Sequence, residues 1–214
     1  MKDAHYFRSP EGPFERREIS VELAGRQTTV STAGGIFSPD GVDKGTQVLL
    51  REVPAPASGG DLLDIGCGWG PIALTMAVQS PQATVWAVDV NERSRVLCAE
   101  NAQRLGLENI RVCAPEEVPG GIQFATIWSN PPIRIGKQAL HELLELWLPR
   151  LQQPQTGEDP AEAWLVVQKN LGADSLLTWM KSMLAVVGDD FAAERAASSK
   201  GFRMLRVTRE QVQA

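Results

Sequence analysis

Tyrosine occurs once, histidine twice and cysteine three times in the 214 residues of this chain. Cys67, Cys98 and Cys113 are an odd, scattered set, so no disulfide framework is implied and a reducing cytoplasm is the expected compartment. His5 and His141 cannot complete a metal site with those cysteines, because no ligand spacing is present. No metal is expected. No apolar run approaches the roughly 20 residues that cross a bilayer, so no membrane partner is expected either. The stretch Met1 to Phe7 lacks the apolar core of a secretory signal. Internal repeats and long low-complexity tracts are missing. Positive charge is not in excess: 21 Lys and Arg against 26 Asp and Glu leave a net charge of −5. That argues against a large nucleic-acid footprint, which needs many phosphate contacts, and leaves room for a small basic rim. A monomer or weak dimer is expected.

What the chain does hold is 43% hydrophobic residues, enough for one sizeable core. Its centre is the stretch Asp61 to Leu74. Leu62 to Ile65 reads as a short strand, Gly66, Gly68 and Gly70 as a turn, and Ile72 to Val78 as a helix. Strand, glycine turn and helix open a parallel α/β unit that binds a nucleotide-like ligand. A dinucleotide fingerprint spaces its glycines Gly-x-Gly-x-x-Gly. Here the pattern is Asp-x-Gly-x-Gly-x-Gly, beginning at Asp64. A carboxylate beside the loop repels phosphate and suits a cationic ligand with an amino group. Asp89 follows at the end of the next strand, Ala83 to Val88, where it can accept both hydroxyls of a ribose. Together these residues resemble the motifs of class I S-adenosylmethionine (AdoMet) dependent methyltransferases. The resemblance implies AdoMet as cofactor, held by Asp64, Ile65, Gly66, Cys67, Gly68, Gly70, Asp89, Val90 and Asn91.

Before this unit, Ile19–Leu23 and Gln27–Ser31 read as a hairpin around Gly25-Arg26. A turn-rich loop from Gly34 leads to Asp43, which caps a helix over Lys44–Arg51. After the unit, the pattern predicts a helix over Glu92–Leu105 capped by Asn91 and ended by Gly106, and strands over Ile110–Cys113 and Phe124–Ser129. A helix over Lys137–Leu151 follows, then a surface loop, a strand over Ala163–Gln168 and a helix capped by Asp174. Two last strands cover Phe191–Ala196 and Phe202–Val207. The fold expected is α/β: a doubly wound, seven-stranded, mostly parallel Rossmann-like sheet with an antiparallel last strand, because the final connection is too short for a crossover. Residues 1–60 form an N-terminal extension packed on a methyltransferase domain of residues 61–214, as one unit.

The second signal is Ser129-Asn130-Pro131-Pro132-Ile133-Arg134 at the end of the fourth strand. Ligands of open α/β sheets bind at the carboxyl ends of strands. The prolines have no N–H, so the Pro131 carbonyl and the Asn130 side-chain carbonyl remain as acceptors. Two acceptors suit the two donors of a planar amino group. Asn130, Pro131 and Pro132 are therefore the candidate catalytic residues, and methyl transfer by in-line displacement needs mainly positioning.

Asn-Pro-Pro here, with Ile133-Arg134, Gly136-Lys137, Phe37-Ser38-Pro39, Val42 to Thr46 and the leader His5-Tyr6-Phe7, is similar to the family of the small-subunit ribosomal RNA guanine-N2 methyltransferase C, in its catalytic half. The resemblance implies methylation of guanine N2 in 16S ribosomal RNA, with ribosomal RNA or the small subunit as partner. It also places Phe37 and Thr46 at the AdoMet site with Lys44 nearby, and gives Phe37, Ile133, Arg134 and Lys137 to the substrate. The usual acid for adenine is missing after the third strand, and Glu116 is the substitute. Arg134, Lys137, Lys169, Lys200 and Arg203 can share a basic rim. Trp69, Leu140, Leu143 and Leu144 read as packing residues and His141 as a surface residue. Two other readings stay open: N-methylation of a protein glutamine amide or an adenine amine, and an RNA- or AdoMet-binding module without turnover.

Overall fold

The structure, a computed structural model, describes residues 13–155, 157 and 159–211. His5, Tyr6 and Phe7 lie outside them. The chain opens with a hairpin, β1 (Arg16–Leu23) and β2 (Arg26–Ala33). Its loop is Ala24-Gly25, both at positive φ, one residue earlier than the sequence pattern indicates; Leu23 pairs with Arg26. Positive φ at both loop positions matches the right-handed twist of the strands. Helix α1 (Lys44–Glu52) follows, and Asp43 caps it by accepting from the Gly45 N–H at 2.7 Å.

The alternating unit then runs β3 (Asp61–Ile65), α2 (Pro71–Gln79), β4 (Thr84–Val88), α3 (Glu92–Arg104), β5 (Ile110–Cys113), β6 (Thr126–Ser129), α4 (Lys137–Trp147), β7 (Ala161–Gln168), α5 (Ala173–Val187), β8 (Phe191–Ser199) and β9 (Phe202–Arg209). The strand order is β5-β4-β3-β6-β7-β9-β8, with β9 antiparallel to both neighbours. This is the α/β Rossmann-like sheet with an antiparallel final strand. Successive residues of the buried strands feed opposite faces. Leu63, Ile127 and Leu165 pack with Leu144, Trp147, Met180 and Leu184 beneath α4 and α5. Leu62, Val85 and Trp128 pack with Val48, Leu49, Ile72 and Met76 beneath α1 and α2. The hairpin lays Val21, Leu23 and Val30 on Trp69, Leu74, Leu97 and Ala102 of α2, α3 and the loop before α2.

Two elements depart from the sequence pattern. Asp174 does not cap α5: Gly172, left-handed at φ 86°, is the capping residue, and Asp174 sits in the first turn, paired with Arg195. Helix α4 stops at Trp147, and a single 3-10 turn, Leu148–Arg150, carries Pro149. Proline lacks the N–H that would continue the ladder, and a tighter turn accommodates it. Among the described residues no helix is long and apolar enough to cross a membrane, and no cluster of three metal-ligating side chains occurs.

Candidate active site

The sheet reverses its order between β3 and β6, and register aligns the strand ends there: Ile65 lies opposite both Ser129 and Val88, and Val88 opposite Cys113. Gly66, Asp89, Ala114 and Asn130 therefore leave the sheet along one edge. This is the switch point at the carboxyl ends, where open α/β sheets bind ligands. A larger cavity of about 420 Å³ lies elsewhere, between the hairpin turn and the C-terminal ends of α2 and α3. It faces the amino ends of the strands and is walled by Leu23, Leu74, Val78, Leu105 and Leu107 together with Arg26, Thr28, Glu108 and Asn109.

The glycine loop is hung on β4, whose Val88 carbonyl accepts the N–H of Gly66 at 2.9 Å and of Cys67 at 3.0 Å. The three glycines do different work. A Cβ at Gly66 or Gly68 would meet nothing within 4 Å, so their bare backbones border open space. A Cβ at Gly70 would come within 2.9 Å of the Cys98 sulfur and 3.2 Å of Leu74. Gly70 thus lets α2 and α3 close up, and the other two leave room for a ligand. Cys67 is buried and its thiol, engaged with that of Cys98, is held well above the ordinary value. Trp69 is buried too, and its Nε1 donates to the Ser38 carbonyl at 3.2 Å, which ties the loop after the hairpin over the glycine turn. Phe37, next in that loop, is 58% exposed and lines a small cleft with Asp43, Thr46, Gly66, Gly68 and Asn130.

The two acids differ in placement. Asp89 is half-buried. Its Oδ2 accepts the Gly68 N–H at 2.9 Å and its Oδ1 the Asn91 N–H at 2.8 Å, and the Ser94 hydroxyl bonds to the same carboxylate, which leaves part of its four-lone-pair capacity unused. Burial raises its carboxyl above the ordinary range, against the pull of those two N–H groups and Arg95. Asp64 lies entirely beneath the loop rather than on the open face. Its Oδ2 accepts the Ala73 N–H of α2 at 2.9 Å, and its Oδ1 is buried with no hydrogen-bond partner. Burial pushes this carboxyl far up, and the Asp89 charge adds to the effect. Val90 is exposed beside Asp89, and Asn91 caps α3 through Arg93 N–H while donating to the Gly35 carbonyl. Glu116 is exposed in the 3-10 turn after β5, whereas its neighbour Glu117 is spent on the Ala114 N–H.

Asn130 is the most constrained polar side chain at this edge. Its Nδ2 donates to Asp43 Oδ2 at 2.9 Å and to Thr46 Oγ1 at 3.1 Å, so both amide hydrogens are spent and its Oδ1 is left over. Thr46 is buried at the start of α1. Pro132, at φ −74° and ψ 73°, forms an inverse γ-turn in which the Ile133 N–H meets the Pro131 carbonyl at 2.8 Å. One lone pair of that carbonyl is thereby occupied and the other stays available. Ile133 packs against the core beneath α4, and Arg134, Lys137, Lys44, Lys169 and Lys200 are exposed. The Lys169 N–H bonds to the Gly201 carbonyl, which brings the turn of the β8–β9 hairpin to the end of β7. Arg203 is not free for a rim: it donates to the Ser198 hydroxyl at 2.6 Å and lies 4.0 Å from Asp174. His141 is half-exposed and stacks on Trp179 at 3.6 Å.

Two contributors escaped the sequence. Asp43 reads there as a helix cap, with nothing to link it to a residue 87 positions on. Asn101, buried in α3, donates to the Ser31 and Trp69 carbonyls and accepts the Ser31 N–H at 2.7 Å, which clamps hairpin to glycine loop. Its polarity on the Leu97 face of a helix was the available signal.

Known proteins resemble this chain in sequence and in fold. Uncharacterized protein YbxB of Bacillus subtilis (strain 168) is 32% identical over 186 residues, 86% of this chain and 90% of that one. The ribosomal RNA small subunit methyltransferase C of Salmonella choleraesuis (strain SC-B67) is 40% identical over 117 residues, which are 51% of this chain and 32% of that protein. The T. thermophilus 16S rRNA N2 G1207 methyltransferase (RsmC), solved in complex with AdoMet and guanosine, superposes with a TM-score of 0.71 at 21% identity, over 94% of this chain and 52% of its own. The chain thus spans about half the length of that enzyme. The family model of the methyltransferase small domain covers residues 27–203, from within β2 to the start of β9, glycine loop and Asn130 included, and the chain belongs to that family.

Proposed function

We propose that the protein is an AdoMet-dependent methyltransferase acting on an exocyclic amino group, guanine N2 of 16S ribosomal RNA. The observation that carries this reading is the orientation of Asn130. With both amide hydrogens taken by Asp43 and Thr46, its carbonyl oxygen is the end left without a partner, and the next residue's carbonyl, Pro131, keeps a lone pair of its own. Acceptors without donors select an –NH2 group over a ring nitrogen that lacks hydrogens. The methyl donor is AdoMet, which supplies an electrophilic methyl carbon on a sulfonium.

The residues fit that donor. Bare backbone at Gly66 and Gly68 leaves a ledge that any side chain would fill. Asp89 keeps acceptor capacity for a ribose hydroxyl beyond its bonds to Gly68, Asn91 and Ser94, with Ile65, Cys67, Val90 and Asn91 around it, and exposed Glu116 is available to an adenine amine. Asp64, missing one partner under the loop, favours a cation above it, because a cation stabilises the ionised form that burial disfavours. Phe37 offers a face for a base, and Ile133, Arg134 and Lys137 line the approach. Asn130 and Pro131 hold the two N–H donors of the target, which turns the nitrogen lone pair out of conjugation. The methylated nitrogen then loses its proton to water. Guanine in ribosomal RNA is favoured over other amino groups by the relatives named for that substrate.

The test is transfer from labelled AdoMet to 30S subunits, naked 16S RNA and cell protein in parallel, with nucleoside mass spectrometry. Asn130→Ala is expected to lower kcat on the order of a hundredfold while AdoMet affinity changes little, because the lost contact serves the transition state. Label on a ring nitrogen, a ribose oxygen or protein overturns the reading.

A further inference from the structure

Asn130 can face its substrate with either end of its amide, and only one end accepts hydrogen bonds. The choice is made by residues far away in the chain. A single oxygen, Asp43 Oδ2, takes the Gly45 N–H at 2.7 Å, the Thr46 N–H at 3.4 Å and the Asn130 amide at 2.9 Å. Turning the amide over would set its carbonyl oxygen against that carboxylate at the same distance, and a carboxylate has no hydrogen to offer. Thr46 Oγ1 holds the second amide hydrogen at 3.1 Å. Gly45 makes room for the contact: a Cβ there would stand 3.0 Å from Asp43 Oδ2, 3.1 Å from the Phe202 ring and 3.2 Å from Asn130 Nδ2. The acid that caps α1 therefore also latches the end of β6.

We infer that Asp43 is a positioning residue for methyl transfer, locking the Asn130 amide with its carbonyl oxygen toward the substrate. The inference rests on the amino-group reading of Asn130 given above. It adds that a helix-capping acid, and not the Asn-Pro-Pro segment alone, sets the acceptor. An amide free to turn would present donors to a donor for part of the time, and the target nitrogen would lose its aim.

The test separates latch from cap. Asp43→Ser keeps a favoured capping residue on a side chain one bond shorter, which no longer reaches Asn130. The Asn130 side-chain amide, followed by NMR in the ligand-free protein, is expected to lose its protection from solvent exchange in this variant. Turnover is expected to fall on the order of tenfold to a hundredfold, the scale for misplaced reacting groups, with AdoMet affinity by calorimetry within about threefold. Asp43→Asn, which can cap and still offer one oxygen to Asn130, is expected to restore both readouts. Thr46→Val removes the second acceptor without touching the cap and is expected to loosen the amide in the same direction. It decides the matter should Asp43→Ser fail to fold. Unchanged amide exchange in Asp43→Ser and Thr46→Val, no rescue by Asp43→Asn, or kcat and AdoMet affinity falling together would overturn the inference. The NMR readout needs no turnover. A wild-type protein that protects the amide yet methylates no amino group sinks the function and leaves the latch standing.

Discussion

Asp64 holds a carboxylate where water does not reach, with one oxygen on the Ala73 N–H and the other on nothing. Burial raises its pKa, and the sign of the consequence follows. A group whose folded pKa lies above its unfolded value stabilises most below that unfolded value, 3.8 here, and the contribution is lost as pH rises through the folded pKa. Asp89 shifts in the same direction. Ligand-free protein is therefore expected to lose stability as pH climbs above about 4, the unfolded value, toward the raised folded values, through this linkage. In Asp64→Asn the loss is expected to be smaller, so that the two melting curves diverge with pH. Parallel Tm profiles would show that the buried charge costs nothing. The same variant is expected to bind AdoMet more weakly, because Asn cannot ionise beneath a cationic ligand. The type of this residue, and of Asp89, was legible in the motif. Its direction was not, since what lies beneath the loop depends on where α2 docks. Asp43 was legible as a cap and illegible as a latch, because its partner comes from a strand that only the folded sheet brings near.

At the scale of elements, β3, α2, β4, α3 and β5 were legible almost to the residue, since apolar runs, glycines and an Asn cap coincide at each boundary. Where signals conflicted the outcome went to the stronger local constraint. Gly172 at positive φ displaced Asp174 as the cap of α5, and Pro149 cut α4 short. The glycine loop gives a sharper prediction. Gly70→Ala adds a Cβ 2.9 Å from the Cys98 sulfur at φ 105°, so a destabilisation of about 1–3 kcal/mol for the backbone conformation is expected before any clash is added. Gly66→Ala, at φ 79° over open space, carries the backbone strain without the clash and is expected to add a loss of AdoMet affinity that Gly70→Ala does not show. Chemical denaturation and calorimetry on both variants separate the two roles. Equal stability losses with equal affinity losses would mean that the glycines are not divided between packing and ligand.

The whole molecule carries a net charge of −5, yet Lys44, Arg134, Lys137, Lys169 and Lys200 are exposed around the carboxyl ends of β6 and β7, with no acid paired to them among the described residues. A chain repelled from RNA overall would then approach it by one edge. Replacing Lys169 and Lys200 by Ala is expected to weaken binding of a 16S RNA fragment and to flatten the plot of log K against log salt by about 0.7 per lost contact to single-stranded RNA. Arg26→Ala, at the hairpin turn, is expected to leave that slope alone. Fluorescence anisotropy across a salt series checks both, and equal effects from the two sites would dissolve the rim.

The order β7-β9-β8 has a consequence in time. A ribosome delivers β8 before β9, yet β8 has no neighbour in the sheet until β9 slides between it and β7. Through that interval, a few seconds at about 5–20 residues per second, β7 waits with Trp164, Leu165, Val166 and Val167 along an unpaired edge. An open apolar edge is a template for any passing strand. Phe202, which walls the Gly45 corner beside Asp43, arrives with β9. The nascent protein is thus most open to wrong partners while its active corner is still unbuilt, and one late strand ends both conditions together.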